Sequence, residues 1–270
     1  MEAKRHLKDG IDARMTYMAD QILDSLLIEI LDYYQRASTL ANQDVMQEIK
    51  NHDADLRITT SILSYKLNAP LFKEIYVFNK QGVVIASTNK EEIDQKLKGS
   101  EINRVLNGEG IITERYFPGQ SNEFTIGFYL PVWNRFLDQD CIGGVQFNLD
   151  WSKVLMLLDE VPVVKKGQSK DGFIVLANSE GDILFASKFL REKGKFLTGK
   201  FSFRNKDFLN FSPSEEEKVI VRRFASGDFI SGEYILTKAF LQRHPALLWS
   251  LWVFRSTQDA FSPLRKASIK

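Results

Sequence analysis

Two stretches of the sequence, IYVFNKQGVVIAS at residues 75–87 and IVLANSEGDILFAS at residues 174–187, follow one pattern. Each has an apolar run, a polar turn that contains a glycine, a second apolar run and a final Ala-Ser pair. Apolar runs that flank such a turn are typical of a β-hairpin. Because the pattern recurs about a hundred residues further along the chain, we expect two similar sheets, each beginning with a hairpin.

The sequence around the first hairpin predicts three further strands and two helices. The turn Asn79–Gly82 separates the hairpin strands, and Asn107-Gly108 is a signature of a helix end. This order favours an antiparallel five-stranded sheet with helices on one side, which belongs to the α+β class. The predicted helices are Lys90–Leu106 and Trp151–Leu158, and the predicted strands are Glu74–Asn79, Val83–Ser87, Gly110–Tyr116, Phe124–Val132 and Gly143–Leu149.

The second hairpin predicts a second module of the same kind. A short polar segment, Pro162–Asp171, is expected to connect the two modules, and a charged insert, Phe201–Glu217, is expected after the second hairpin. The predicted strands are Phe173–Ala177, Asp182–Ser187, Gly232–Thr237 and Trp249–Arg255.

A long helical region precedes the first hairpin, from Ile11 to Leu67, and neither proline nor glycine interrupts it. A helix that continues through Leu40 would be about 45 Å long, which suggests a stalk or a spine along both modules. We expect part of its apolar stripe to face a partner helix in a dimer. The expected domains are a spine at 1–69 and modules at 70–161 and 162–270. The stripe consists of Ile11, Met15, Met18, Ile22, Leu26, Ile30, Tyr33, Ala37 and Leu40.

The composition excludes several classes of protein. The 36 basic and 35 acidic residues nearly cancel, so neither nucleic acid nor an anionic membrane surface is an expected partner. The single cysteine, Cys141, allows no internal disulfide, and the three histidines are too far apart in sequence to suggest a metal site. No run of about twenty apolar residues and no signal peptide is present, so we expect a cytoplasmic protein or the soluble part of a longer one.

The sequence offers no catalytic signature that would indicate an enzyme, and no cofactor is expected. Asp138-Gln139-Asp140 could form a carboxylate pair, but aspartate is also favoured in the turn that is expected there. Cys141 begins a predicted strand without a nearby histidine to activate it, so we interpret it as a small buried residue.

Four segments in this order and spacing resemble the double Cache family of extracellular sensor domains. They are YVFNKQGVVIAST, FYLPVWN, IGGVQFNLDWSKVLMLL and LWSLWVFRSTQDAFSPLR. The resemblance implies two PAS-like modules on one long N-terminal helix, located outside the cell membrane between two transmembrane helices. It also implies a homodimeric receptor, although the isolated fragment could be monomeric. The implied output is a histidine kinase, with a chemoreceptor or a diguanylate cyclase as alternatives, and a soluble enzyme is the alternative from another class.

The resemblance further implies that a ligand binds on the concave face of the membrane-distal sheet at 70–161, under the connecting helix and loops. Strand alternation places Thr125, Gly127 and Tyr129 on one face, and Gln146 and Asn148 share a face of the neighbouring strand. Tyr76 could instead belong to the core, and Arg115 could be a solvated charge at the sheet edge. The candidate ligand-binding residues are Tyr76, Arg115, Tyr116, Thr125, Gly127, Tyr129, Gln146 and Asn148.

Two motif positions bear on the ligand class. Amino-acid-sensing members of the family carry an Arg-x-Trp-Tyr-like cluster and an aspartate on the last strand that pairs with the ligand ammonium. Here Arg115-Tyr116-Phe117 matches the cluster only in part, and Gln146 stands at the expected aspartate position. A neutral amide provides no charge neutralisation, so an α-amino acid is not favoured. A carboxylate, a polar neutral metabolite, a periplasmic binding protein or no small ligand remain open.

Overall fold

The computed structural model describes residues 2–117, 123–136, 140–160, 172–179, 182–188, 190, 219–224, 232–241 and 247–260 of the 270-residue chain. The predicted connector Pro162–Asp171 and the predicted insert Phe201–Glu217 lie outside these residues. Of the helices that the structure describes, none combines the length and the apolar character needed to cross a membrane. The chain divides into two compact units, and the division falls within the first helix and within the helix that follows the first sheet.

Three helices form the N-terminal region: α1 (Glu2–Ala41), a 3-10 helix (Asp44–Asn51) and α2 (Arg57–Asn68). The helix predicted to extend as far as Leu67 is therefore interrupted after Ala41 and again after Asn51. The second break is defined by left-handed backbone at His52, Asp53 and Leu56, with φ angles of 54°, 52° and 55°. Such conformations end a helix without proline or glycine; among residues other than glycine, His and Asp adopt them more readily than most, whereas Leu rarely does.

The apolar stripe of α1 is buried within the chain itself. Tyr33 packs edge-on against Phe72 of the first sheet, with ring centroids 5.3 Å apart, and the Thr16 hydroxyl lies 3.2 Å from that of Thr237 in the second sheet. The prediction that part of this stripe faces a partner helix is therefore wrong for its buried members. They are Ile11, Met15, Ile22, Leu26, Ile30, Tyr33, Ala37 and Leu40, and Met18 is partly buried.

The first sheet contains five strands in the order β2-β1-β5-β4-β3, and the pairs β1–β2, β1–β5 and β4–β5 are antiparallel. Its helices are α3 (Ser100–Leu106), between β2 and β3, and α4 (Trp151–Glu160), after β5. The strands are β1 (Phe72–Asn79), β2 (Val84–Ser87), β3 (Ile111–Phe117), β4 (Glu123–Trp133) and β5 (Cys141–Leu149).

Helices pack on both faces of the first sheet, so the expectation of helices on one side only is wrong. On one face, aromatic side chains of α1 and α2 contact Phe72, Phe128 and Phe147 at centroid distances of 5.3 to 6.3 Å. On the other face, Ile102 and Val105 of α3 join the sheet residues Phe78, Ile111 and Tyr129 in a separate buried cluster.

The helix predicted at Lys90–Leu106 is also shorter than expected. Only a 3-10 turn at Lys90–Glu92 and α3 are helical, because the residues between them follow the edge of the hairpin. The Val84 amide donates to the Gln95 carbonyl and the Leu97 amide to the Gly82 carbonyl, each at 2.9 Å. The predicted end at Asn107-Gly108 is confirmed, since Asn107 is the C-cap of α3.

The second sheet repeats the topology of the first, with the order β7-β6-β10-β9-β8. The predicted architecture of two similar sheets, each beginning with a hairpin, is confirmed, and the fold is α+β. One of the strands, β8, was not predicted. The strands are β6 (Gly172–Ala177), β7 (Ile183–Ala186), β8 (Val219–Phe224), β9 (Gly232–Phe240) and β10 (Ser250–Ser256), and a short helix, α5 (Thr257–Ala260), follows.

Candidate functional site

Three predicted site residues form one row across the centre of the first sheet. Gln146 of β5 is paired in register with Tyr76 of β1 on one side and with Tyr129 of β4 on the other. All three are buried, with relative exposures of 7% for Tyr76, 2% for Gln146 and 1% for Tyr129. Side chains at directly paired positions point to the same face. Tyr129 packs with Ile102 and Val105 of α3, so Tyr76 and Gln146 also face α3.

A second polar row lies next to the first, because Asn148 of β5 is paired with Glu74 of β1 and with Gly127 of β4. The Gln146 amide nitrogen Nε2 donates to the Asn148 oxygen Oδ1 at 3.0 Å, and both side chains are buried. A buried amide is costly unless it is hydrogen-bonded. The two amides therefore orient each other. We call the six residues of the two rows, Glu74, Tyr76, Gly127, Tyr129, Gln146 and Asn148, the polar face.

Glu74 was not among the predicted site residues. It lies two positions before Tyr76 on the same strand, and the Tyr76 hydroxyl donates a hydrogen bond to its carboxylate. Burial raises the pKa of Tyr76, and the hydrogen bond to Glu74 raises it further, so Tyr76 remains a proton donor at neutral pH. The period of two along a strand could have identified Glu74 from the position of Tyr76.

Arg115 of β3 extends its guanidinium group over the Tyr129 ring, with its central carbon 5.7 Å from the ring centroid. Gly127 provides the space for this contact. A Cβ atom there would lie 2.8 Å from Tyr129 Cε2 and 3.4 Å from Arg115 Cδ. Burial raises the pKa of Tyr129, while the nearby Arg115 opposes the rise and Glu101 adds to it. Arg115 is therefore a partly buried residue of the edge strand β3, and its guanidinium packs over the Tyr129 ring.

The remaining predicted residues differ in what the structure shows of them. The buried Thr125 hydroxyl donates to the Leu149 carbonyl at 2.5 Å, so its donor is already engaged within the sheet. Tyr116 belongs to β3, but its side chain lies outside the described residues. The structure thus brings Tyr76, Gln146 and Tyr129 together with Arg115, Gly127 and Asn148 at one face.

The equivalent row of the second sheet has a different chemistry. The repeat aligns Tyr76 with Val175, and Val175 is paired in register with Trp252, which is paired with Lys238. The Lys238 ammonium lies 4.5 Å from the Trp252 ring centroid and 4.2 Å from that of Phe240. Burial lowers the pKa of this lysine. In the described part of the second sheet, this row contains no amide side chain.

A polar surface groove lies apart from the polar face, around the C-terminal end of α1. Its side chains belong to exposed or partly exposed segments, and Arg135 forms an ion pair there with the exposed Asp44. Such groups are exposed to water. A ligand bound there would bury little of its surface, and exposed ion pairs contribute little binding energy. We therefore regard the polar face as the stronger candidate site. The groove is lined by Gln35, Ser38, Thr39, Asn42, Gln43, Asp44 and Arg135.

No protein-family model and no curated protein matches the sequence. Solved structures do match the fold across nearly the whole chain. The sensor domain of the V. cholerae histidine kinase DctB is 12% identical, with a TM-score of 0.64, and the match covers 92% of this chain and 98% of that one.

Two chemoreceptor domains give similar values. The ligand-binding domain of Pseudomonas fluorescens CtaA, in complex with L-leucine, is 13% identical with a TM-score of 0.65, covering 95% of this chain and 99% of that one. The ligand-binding domain of the Pseudomonas aeruginosa PAO1 amino acid chemoreceptor PctB, in complex with L-Arg, is 12% identical with a TM-score of 0.58, covering 95% and 92%. The predicted resemblance is thus confirmed for the fold, and the chain has the fold of the extracellular sensor domains of histidine kinases and chemoreceptors.

Proposed function

We propose that this chain is the ligand-sensing, extracytoplasmic part of a transmembrane signalling receptor, and that the polar face binds a small molecule. The observation that carries the proposal is the row formed by Tyr76, Gln146 and Tyr129, with Asn148 beside it, on the α3 side of the first sheet. Ligand sites typically combine apolar walls with a few convergent polar groups. Ile102 and Val105 of α3 supply apolar wall next to these polar groups.

The proposed ligand is a small polar metabolite. CtaA and PctB are seen in complexes with amino acids, which supports small-molecule binding by this fold. In this chain the polar face offers two amides and two phenols within one layer, and Arg115 is close to one of the phenols. These groups can donate to and accept from a polar ligand without covalent chemistry. We accordingly propose no catalytic activity for this part of the protein.

The proposed receptor is anchored in the inner membrane by segments on either side of this chain. A histidine kinase is the favoured output because DctB has this fold, and a chemoreceptor is the second candidate because CtaA and PctB share it. Signalling requires that the ligand bind one of two receptor arrangements more tightly, since equal affinity for both shifts no population. In a homodimer, exposed apolar residues of α1 such as Tyr17, Ile28 and Leu31 are available for a contact between subunits.

A thermal-shift screen followed by calorimetry tests the proposed site. Amino acids, amines, mono- and dicarboxylates, sugars and nucleosides form the panel, and each compound that stabilises the protein is titrated against Gln146→Met. This change keeps the size of the side chain but removes its hydrogen bonds. We expect binding to weaken at least tenfold, which corresponds to about 1.4 kcal/mol.

Gln35→Met is the matched control, because Gln35 is exposed on α1 and lines the surface groove. We expect its affinity to stay within twofold of the unmodified protein. Weaker binding by Gln35→Met with unchanged binding by Gln146→Met would move the site to the groove. If no compound stabilises the protein, small-molecule sensing at the polar face is rejected.

A further inference from the structure

We infer that the second sheet carries a binding site of its own, at which Lys238 of β9 binds the carboxylate group of a small organic acid. The rings of Trp252 and Phe240, which lie beside this ammonium group, form the wall that contacts the rest of the ligand. The site goes beyond the proposed function, because it shares no residue with the polar face and takes a ligand of its own. Its failure would leave the assignment of the polar face unchanged.

Lys238 lies on the face of the second sheet that points away from α1. The preceding residue, Thr237, points towards α1, because its hydroxyl lies 3.2 Å from that of Thr16. Successive side chains of a strand point to opposite faces, so Lys238 points to the other one. Trp252 is paired directly with Lys238 and belongs to the buried cluster of that face. This face therefore corresponds to the polar face of the first sheet, which also points away from α1.

The Lys238 ammonium lacks a counter-ion within the part of the chain that the structure describes. Its contacts there are the two aromatic rings, with centroids 4.2 Å away for Phe240 and 4.5 Å away for Trp252, and the described residues form no ion pair with it. Ring faces attract a cation but leave its charge and its three hydrogen-bond donors unmatched. A ligand carboxylate would supply both the acceptors and the missing negative charge, and such charge-assisted hydrogen bonds are stronger than neutral ones.

The burial of the neighbouring side chains shows how a ligand can reach this lysine. Trp252 is 5% exposed, Phe240 is 51% exposed, and Lys238 is partly buried between them. The ammonium therefore lies where the buried cluster meets solvent, and a ligand can approach over the Phe240 ring. Ser250 is paired with Phe240 and shares this face, so it adds a hydroxyl next to the rings. One ammonium, one hydroxyl and two rings suit a monocarboxylate with an apolar body.

The test compares carboxylates with their neutral amides. Benzoate, phenylacetate, indole-3-acetate and 4-methylpentanoate are each assayed beside the corresponding amide, by thermal shift and calorimetry. We expect at least one carboxylate to bind, and its amide to bind about tenfold more weakly or worse. Lys238→Met, which removes the charge but keeps a long apolar side chain, should weaken the carboxylate by about tenfold or more. The control is Lys188→Met, on an exposed lysine of the same unit, and should change the affinity less than about twofold.

Further measurements protect the test against a folding defect. Because a partly buried charge without a counter-ion is costly, Lys238→Met should not lower the melting temperature of the ligand-free protein by more than about 2 °C. A larger fall would mean that a carboxylate of the chain already neutralises the lysine, and it would overturn the inference. Lys238→Arg, which retains the charge, should bind the carboxylate within about tenfold of the original protein. Absence of binding by every carboxylate, or binding that depends on Gln146 and not on Lys238, would also overturn it.

Discussion

Thr125 and Gln146 are both buried polar side chains of the first sheet, but they are engaged differently. The Thr125 hydroxyl donates to a backbone carbonyl, that of Leu149, and this bond connects β4 to the end of β5. Gln146 instead bonds to the side chain of Asn148, and both amides face α3 with the other residues of the polar face. We therefore interpret Thr125 as a structural residue and Gln146 as a ligand-binding residue.

Replacing Thr125 with valine should destabilise the protein by about 1–2 kcal/mol, because it removes a buried donor and leaves the Leu149 carbonyl with one hydrogen bond fewer. Valine has nearly the same shape, so no cavity arises. Urea denaturation followed by circular dichroism measures the effect. Thr60→Val is the matched control, since the Thr60 hydroxyl also donates to a backbone carbonyl, that of Leu56, but on an exposed helix surface. If Thr125→Val lost no more unfolding free energy than Thr60→Val, the structural role of Thr125 would be contradicted.

Part of the candidate site was predictable from the alternation of residues along single strands. Alternation placed Thr125, Gly127 and Tyr129 on one face of β4, and Gln146 with Asn148 on one face of the neighbouring strand β5. The pairing of Gln146 with both tyrosines depends on the register between strands, which a single sequence does not contain. Alternation along β1 could have placed Glu74 on the same face as Tyr76, but the hydrogen bond between them, which makes Glu74 part of the site, is seen only in the structure.

At the scale of elements, the sequence indicated most strands but misplaced helix boundaries. The segment from Ile11 to Leu67 has helical periodicity throughout, yet the chain leaves the helix at residues 52–56. No glycine or proline marks this break. It is stabilised by Asp53, whose carboxylate accepts from the Ile58 amide at 2.7 Å and from the Thr59 amide at 2.9 Å. A side chain four residues before a helix start is not a usual capping signal.

The edges of the sheets were also difficult to predict. The residues between Glu92 and Ser100 add backbone hydrogen bonds along β2, and this tertiary pairing overrides their helical pattern. In the second sheet, β8 occupies the end of the strand order and contains two consecutive arginines, Arg222 and Arg223. Short, charged edge strands protect sheets from aggregation, but they lack the apolar signal of a central strand.

Removing the cap of α2 should reveal its contribution to stability. We expect Asp53→Ala to lower the free energy of unfolding by about 2–3 kcal/mol, because two backbone amides and the Thr59 hydroxyl lose their acceptor near the start of α2. The control, Asp55→Ala, affects an exposed carboxylate in the same loop and should cost less than about 0.5 kcal/mol. Urea denaturation of both variants, followed by circular dichroism, tests this prediction. An equal loss of unfolding free energy in the two variants would refute the capping role.

In the whole molecule, the two sheets have the same strand order. The side chains on the corresponding face of each sheet nevertheless differ in chemistry. The row of Tyr76, Gln146 and Tyr129 corresponds to that of Val175, Trp252 and Lys238. Replacing an amide by an indole turns a polar site into a packed surface, and Trp252 belongs to the buried core of the second sheet. One topology therefore supports two roles, as expected when function depends on side chains placed on a common fold.

The four tryptophans divide evenly between the two sheets and can report on each separately. Trp133 and Trp151 belong to the unit of the first sheet, and Trp249 and Trp252 to that of the second. A protein with Trp249→Phe and Trp252→Phe therefore reports unfolding of the first sheet by fluorescence. The converse protein, with Trp133→Phe and Trp151→Phe, reports on the second. Each double variant is compared with itself, with and without ligand, because replacing buried tryptophans lowers stability by itself.

A compound bound to the polar face should stabilise mainly the first sheet. A ligand that binds only the folded state adds about 2.7 kcal/mol of stability at a hundred times its dissociation constant. We expect the urea midpoint reported by Trp133 and Trp151 to rise accordingly, and the midpoint reported by Trp249 and Trp252 to rise less. A rise confined to Trp249 and Trp252 would place the ligand on the second sheet and would contradict the assignment of the site to the polar face.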